Sequence, residues 1–439
     1  MELTKSRELF DRAVKSVPGG VHSNSRYRNP HPVYYKNAEG AYLIDVDGNR
    51  YIDCIMGNGA IILGHNDKEF NDRIQYYSRS GIVTGVETEL SIKTAEKFLS
   101  LVPTAEQIRY TNTGTEAVMH AMAMSRAFTG KTDIAVIEGA YNGWHDAVYV
   151  STWPDLLKAG DRTEPKSLPG ASGLIDEVVK STLVLPYNDL EIAERLLTVN
   201  KDRIAALIIE PTMIDIGYIP AKKEYLQGLR KLCNDLNIVL VFDELLTGFR
   251  DSPGGAQSHY GVTPDLSTFG KAISNGYMLA ALAGKAAIFE TVTPGKGTCS
   301  FVGTYNGHQV SLAASLAFME IYEERQVFKT LQTRTEKLIN EFARLADKHQ
   351  IKARIQGRGG HFHWYFTDKE ILDYRSATQS DKRAYANFID AFIGTGVYCS
   401  PNYLLHHAIS MEHTDEIIQQ LVEYMDVSLQ HATSIKAGL

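Results

Sequence analysis

The sequence predicts an α/β protein: a mainly parallel central sheet with helices on both faces, and a smaller α+β lobe built from both termini. Three observations lead there. Between about residue 70 and residue 310, short β-rich apolar runs alternate with segments of helical spacing, as in chains of βα crossovers. Before that stretch the pattern is strand-like, and after it long helical patterns dominate. At 439 residues the chain also exceeds the ~250–300 at which single cores stop growing. We therefore expect 1–69 to start the small lobe, 70–310 to form the large domain, and 311–439 to complete the small domain.

The elements follow in order. "MELTKSRELFDRAVKSVPGG" reads as an amphipathic helix stopped by Pro18-Gly19-Gly20, and its interspersed acids argue against a signal peptide. "GAYLIDVDGNRYIDC" alternates around Asp47-Gly48, a hairpin signal. "ELSIKTAEKFLSLV" has helical spacing, "IRYTNTG" is a strand ending in a turn, and "TEAVMHAMAMSRAFTG" is a helix stopped by Gly130. Buried-strand candidates follow at "DIAVIEG", "TLVLPY", "IAALIIEP", "IVLVFDE", "LSTFGK" and "LAALAGK". The later helical region is broken by "ARIQGRGGHFHWYF", which alternates enough to read as a strand.

Composition is that of an ordinary globular protein, 44% hydrophobic and 22% charged, with net charge −7. Without a dense Lys/Arg run, nucleic acid and anionic membrane are not expected partners. No apolar run reaches the ~18 residues of a membrane span. Cys54, Cys233, Cys299 and Cys399 are scattered without CxxC spacing, which suits reduced thiols in a cytoplasmic protein and suggests no zinc site.

The chemistry begins at "VFDELLTGFR". A strand that reads as buried ends on Asp243 and Glu244, and a buried carboxylate needs a cation. Lys271 closes another apolar run, in "STFGKAISNG", and ligands of open α/β sheets sit at such strand ends. The turn "NTGT", Asn112 to Thr115, follows a third strand and opens a helix, where free N–H groups attract phosphate. Taken singly, a strand-end Asp is commonly a cap, a lysine is commonly surface charge, and a TGT turn is common. Together they supply an acid, an amine and an anion cradle. A small molecule with a phosphate, a protonatable ring nitrogen and an aldehyde satisfies all three, which is pyridoxal 5′-phosphate. Asp243 would keep the ring nitrogen protonated, and Lys271 would take the aldehyde and later shuttle a proton.

"PGGVHSNSRYR", "ILGHN", "TNTGTEAVMHAM", "GAYNGWHD", "IIEP", "FDELLTGFR", "GVTPDLSTFGKAISNG" and "GTYNGHQ" occur in that order. With them the chain resembles the class III pyridoxal-phosphate aminotransferases, of fold type I, and within them the glutamate-1-semialdehyde aminomutase branch. The resemblance implies that Gly114 and Thr115 bind phosphate. Tyr141 would stack on one ring face, Leu245 would cover the other, and Asp215 would take the place of an asparagine beside the phenolic oxygen. It implies further that Thr304 reaches the phosphate of a partner subunit, making a homodimer, and that Arg26 takes a substrate carboxylate. The bland readings are that Tyr141 is core and Arg26 surface, that Glu244 and Arg250 form a local salt bridge, and that His361 and His363 pack or touch substrate.

The chain departs from that branch at four positions. Asn58 stands where the branch has tryptophan, Leu405 where it has glutamate, Asp215 where it has asparagine, and Met278 where it has proline. The lost indole opens space that Asn58, His22, Asn24, His406 or His407 would line with polar groups. The departures favour transfer from an amino acid donor, expected to be glutamate, to a polar acidic acceptor such as the octulosonic acid aldehyde of lipopolysaccharide. The alternatives are the aminomutase itself and a cofactor-binding regulator or non-transaminating relative.

Overall fold

The computed structural model describes residues 3–82 and 85–432. Its centre is a seven-stranded sheet. The spatial order is Gln107–Thr111, Ala280–Gly284, Leu266–Phe269, Val239–Asp243, Ile204–Ile209, Asp133–Ile137 and Thr182–Leu185. All neighbours from Leu266–Phe269 onward run parallel, whereas Ala280–Gly284 is antiparallel to both its neighbours.

Alternation along the strands sorts side chains onto two faces. Ile134, Val136, Ile208, Val239 and Val241 pack with Val118, Ala121 and Met122 of the helix Gly114–Thr129. Ala135, Ile137, Leu207, Leu240 and Phe242 pack on the other face, with Leu196, Leu226 and Leu229 from the helices Leu190–Val199 and Lys223–Asp235. Strand side chains alternate with period two. Asp243 therefore ends its strand on the face of the Gly114–Thr129 helix, by the same parity as Val239 and Val241.

The two ends of the chain meet in a second sheet. Tyr35–Glu39, Tyr42–Asp45 and Arg50–Asp53 form an antiparallel meander, and Val397–Tyr398 adds in parallel to the third strand. The hairpin expected at Asp47-Gly48 is present, with Gly48 at φ +97°.

"ARIQGRGGHFHWYF" is not one strand but a hairpin, Arg354–Arg358 against His361–Tyr365, with His407–Ala408 on its outer edge. Gly359 and Gly360, at φ +56° and +96°, reverse the chain there, and a Cβ on Gly359 would lie 1.5 Å from the Arg250 carbonyl oxygen. The helix Gln309–Glu324 packs against the helices Lys68–Ser78 and Glu89–Leu101 and against the short turn Lys271–Ser274. Among the described residues, no helix is long and apolar enough to cross a membrane.

Candidate active site

Asp243 is 3% exposed and held by three donors. Asn142 Nδ2 donates to one carboxylate oxygen at 2.9 Å; the Leu245 amide and the Thr268 hydroxyl donate to the other at 3.1 and 3.3 Å. Burial pushes its pKa up despite these bonds and the nearby Lys271 ammonium. Asn142 was missed by sequence reasoning. Its only signal was its place beside Tyr141 in "GAYNG", in the loop after the strand Asp133–Ile137.

Lys271 opens the turn Lys271–Ser274 at φ +48°, a left-handed conformation unusual for a side chain with a Cβ. Such strain concentrates where a side chain must be aimed. Asn275 closes the turn, and its Oδ1 accepts the amides of Ile62 and Leu63 at 2.8 and 3.0 Å.

Three buried acids feel the charge of the lysine. Besides Asp243, the Glu210 carboxyl is pushed well up by burial and then by Asp215 and Asp243. Glu210 accepts the Ile214 amide on Oε2 at 3.0 Å, while its Oε1 has no partner. Asp215 is raised by burial and drawn down by Lys271. More buried acid than base faces this space, which suits a cationic ring.

The anion cradle lies at the start of Gly114–Thr129. Thr113 caps the helix by accepting the Glu116 amide at 3.3 Å, so the amides of Gly114 and Thr115 keep no intrahelical acceptor. Thr115 Oγ1 accepts the Trp144 amide at 3.1 Å. Leu245 joins this helix start to the lysine strand. A Cβ on Gly114 would come within 2.5 Å of the Leu245 side chain, and so would one on Gly270, next to Lys271. Tyr141 stacks on Trp153 with ring centroids 6.1 Å apart. Its phenol is pushed up to about 12 by burial, with Asp215, Tyr149 and Asp243 adding to the shift. Gly114, Thr115, Tyr141, Asp215, Asp243, Leu245 and Lys271 thus gather around one space.

The expected Glu244–Arg250 salt bridge does not form. Glu244 accepts the amides of Ala256 and Gln257 at 2.7 and 2.8 Å, and Thr247 Oγ1 at 2.5 Å. Arg250, 0% exposed, donates instead to the carbonyls of Gly59, Ile61, Gly359 and Ile409. It ties the segment holding Asn58 to the hairpin of Arg354–Arg358 and His361–Tyr365. Met56, Gly57, Asn58 and Gly59 all have positive φ, from +47° to +79°. Asn58 is exposed on this left-handed turn, and the backbones of Asn58 and Ile214 flank the His406 ring.

Of the neighbouring histidines, His407 turns away from the site. It lies in the core against Phe362 and Trp364, and its Nε2 accepts the Ser400 amide. Arg26 is exposed on the turn Asn24–Arg26 and lines a cavity of about 240 Å³ with His22, Arg28 and Tyr398. No residue lining that cavity belongs to the group around Lys271. Thr304 is exposed in a loop that reaches its own chain at Asn112, through Asn306, at 3.4 Å. Among the described residues, no three His, Cys, Asp or Glu side chains group as a metal site.

A family model described as aminotransferase class-III matches residues 23–426. A glutamate-1-semialdehyde 2,1-aminomutase from Methanocaldococcus jannaschii is 36% identical over 427 residues, covering 97% of this chain and 98% of that protein. The solved omega-transaminase from Sphaerobacter thermophilus superposes with a TM-score of 0.93 at 32% identity, over 98% of each chain. A transaminase with PLP bound superposes at 0.88, with 28% identity and 98% coverage of each chain.

Proposed function

The chain belongs to the class-III aminotransferases, enzymes that use pyridoxal phosphate, and on that premise we propose that Lys271 carries the cofactor while an amino group passes between an amine and a carbonyl. The observation that carries this reading is the placing of Lys271, at a strand end and in a left-handed turn, facing Asp243 and Asp215. When bound, the cofactor supplies an electron-withdrawing ring that stabilises a carbanion.

The chain's own residues supply the rest. Asp243, fixed by Asn142 and Thr268, holds the proton on the ring nitrogen. Lys271 would also move the substrate proton. Gly114 and Thr115 amides would hold the phosphate, joined by Thr304 from a second copy. Tyr141 and Leu245 would flank the ring, and Asp215 would lie beside it. Exposed Met278, Val302 and Tyr305, at 79%, 77% and 60%, support a homodimer, and four free thiols support a cytoplasmic setting.

Two finer readings differ in substrate. The named relatives best support a glutamate-1-semialdehyde 2,1-aminomutase. The second reading is transfer from glutamate to a polar acidic sugar aldehyde, such as an 8-oxo octulosonic acid of lipopolysaccharide, with Arg26 taking a carboxylate. Asn58, in place of an indole at the edge of the site, favours it. The cofactor-loaded chain given glutamate 1-semialdehyde alone decides between them. Isomerisation supports the first. Failure there, with amino transfer from glutamate to a hydroxylated acidic aldehyde, supports the second. No spectral change with any amino donor would reject the proposal.

A further inference from the structure

We infer that His361 and His406 form a subsite beside Lys271 that hydrogen-bonds an uncharged hydroxyl of the substrate, and so select hydroxylated carbonyl compounds over their deoxygenated counterparts. This deepens the amino-transfer reading and rests on it.

The two rings meet edge to face, with centroids 4.8 Å apart, and are 0% and 6% exposed. All four of their ring nitrogens lack a hydrogen-bond partner. The Asn58 and Ile214 backbones approach His406 without reaching that geometry, and Asp215 Oδ1 stands 3.8 Å from His406 Nδ1. The other histidines near this sheet are each tied on one nitrogen: His363 to the Tyr403 carbonyl at 2.9 Å, His407 to the Ser400 amide at 3.2 Å. Buried polar atoms are ordinarily paired, so four orphans on adjoining rings need an explanation. A ligand is the simplest one.

The surroundings decide its chemistry. Burial, with Lys271 and Arg250 close by, pushes His406 down to about 3 and His361 well below its usual range, so both rings are neutral. Neutral imidazole offers one donor and one acceptor, which a hydroxyl matches in both senses. A carboxylate placed here would face Asp215 and Glu210 and meet only neutral rings, since Arg250 is already engaged by four backbone carbonyls and Lys271 faces three acids. One hydroxyl can touch both His406 Nδ1 and Asp215 across their 3.8 Å gap.

The backbone is shaped to bring the rings in. A Cβ on Gly59 would lie 2.3 Å from His361 Cε1, and Gly59 ends the left-handed run that Arg250 pins. The strain of that run is what sets the wall of the site against the histidine.

The test uses two four-carbon acceptors, erythrose and butanal, with the amino-loaded holoenzyme. A site built to pair hydroxyls rejects an analogue lacking them, so erythrose should be favoured in kcat/KM by at least about tenfold. In His406→Leu that preference should fall to within about threefold, chiefly through KM for erythrose. His406→Gln, which keeps a donor and an acceptor, should retain most of it, and His361→Leu should lose part. Equal use of both acceptors by the unaltered enzyme, or an equal loss on both in His406→Leu, would overturn the inference. The donor half-reaction, read by absorbance, is scored separately, and its failure counts against amino transfer itself. Calorimetric binding of the two aldehydes to the cofactor-loaded chain gives a second reading of the preference, and its absence there also overturns the subsite.

Discussion

Asp243 and Glu244 are adjacent, both buried and each held by three donors, but the polar groups around them are in opposite conditions. Glu244 and nearby Arg250 lie in surroundings that complete them. The carboxylate receives two amides and a hydroxyl, and the guanidinium meets four carbonyls. Around Asp243 and Lys271, by contrast, the polar atoms are only half satisfied. Glu210 Oε1, Asn142 Oδ1 and the nitrogens of His361 and His406 have no partner. A buried network that closes on itself rigidifies a fold, whereas one left open is arranged for something else. One residue's step along the chain separates architecture from site.

The contrast is tested most severely at Lys271. Lys271→Ala should lower amino transfer by more than about a thousandfold, since both the cofactor's anchor and its proton carrier are lost. Cofactor should still be retained without a covalent link, measured by absorbance after gel filtration. Arg250→Met probes the other region. It strips four buried carbonyls of their donor and should destabilise the chain by about 3–5 kcal/mol in denaturant unfolding.

Asp243→Asn should separate the two effects again. It keeps the shape but removes the charge, so turnover should fall about a hundredfold. Stability without cofactor should hold or rise, because a buried carboxylate pushed up by desolvation is gone. Equal losses of stability in Asp243→Asn and Arg250→Met would show that the two regions serve the fold alike.

The smallest effect is one of pH. His406 stays neutral in the fold down to about 3, while the unfolded chain takes a proton near 6.5. The unfolded state therefore binds more protons between those values, and stability falls as pH drops through that window. Between pH 6 and 4.5 this residue accounts for up to about 2 kcal/mol of the loss. His406→Gln should flatten the acid limb of the unfolding midpoint by that much; an unchanged slope would show the ring already charged in the fold.

What the sequence made legible follows from what is local. The strand ends at Asp243, Lys271 and Asn112–Thr115 were readable because apolar runs stop there on polar residues. The placing of Ala280–Gly284 between Gln107–Thr111 and Leu266–Phe269 was not, because it depends on pairing between distant segments. Arg250 misled for the same reason. Its partners are backbone carbonyls, which carry no residue signature, so an acid of the same motif, Glu244, was the natural wrong choice. His406 and His407 are adjacent, and only the short pairing of His407–Ala408 with His361–Tyr365 decides which of them faces Lys271. Asn142 holds Asp243 from a loop more than a hundred residues away, so nothing local marked it.

We propose that the half-satisfied cluster, and not some other lysine-bearing surface, receives the cofactor. Borohydride reduction of the holoenzyme followed by peptide mapping tests it most directly. A single stable label is expected on Lys271, in the peptide that carries "STFGKAISNG". A label on any other lysine, with Lys271 unmodified, would contradict it.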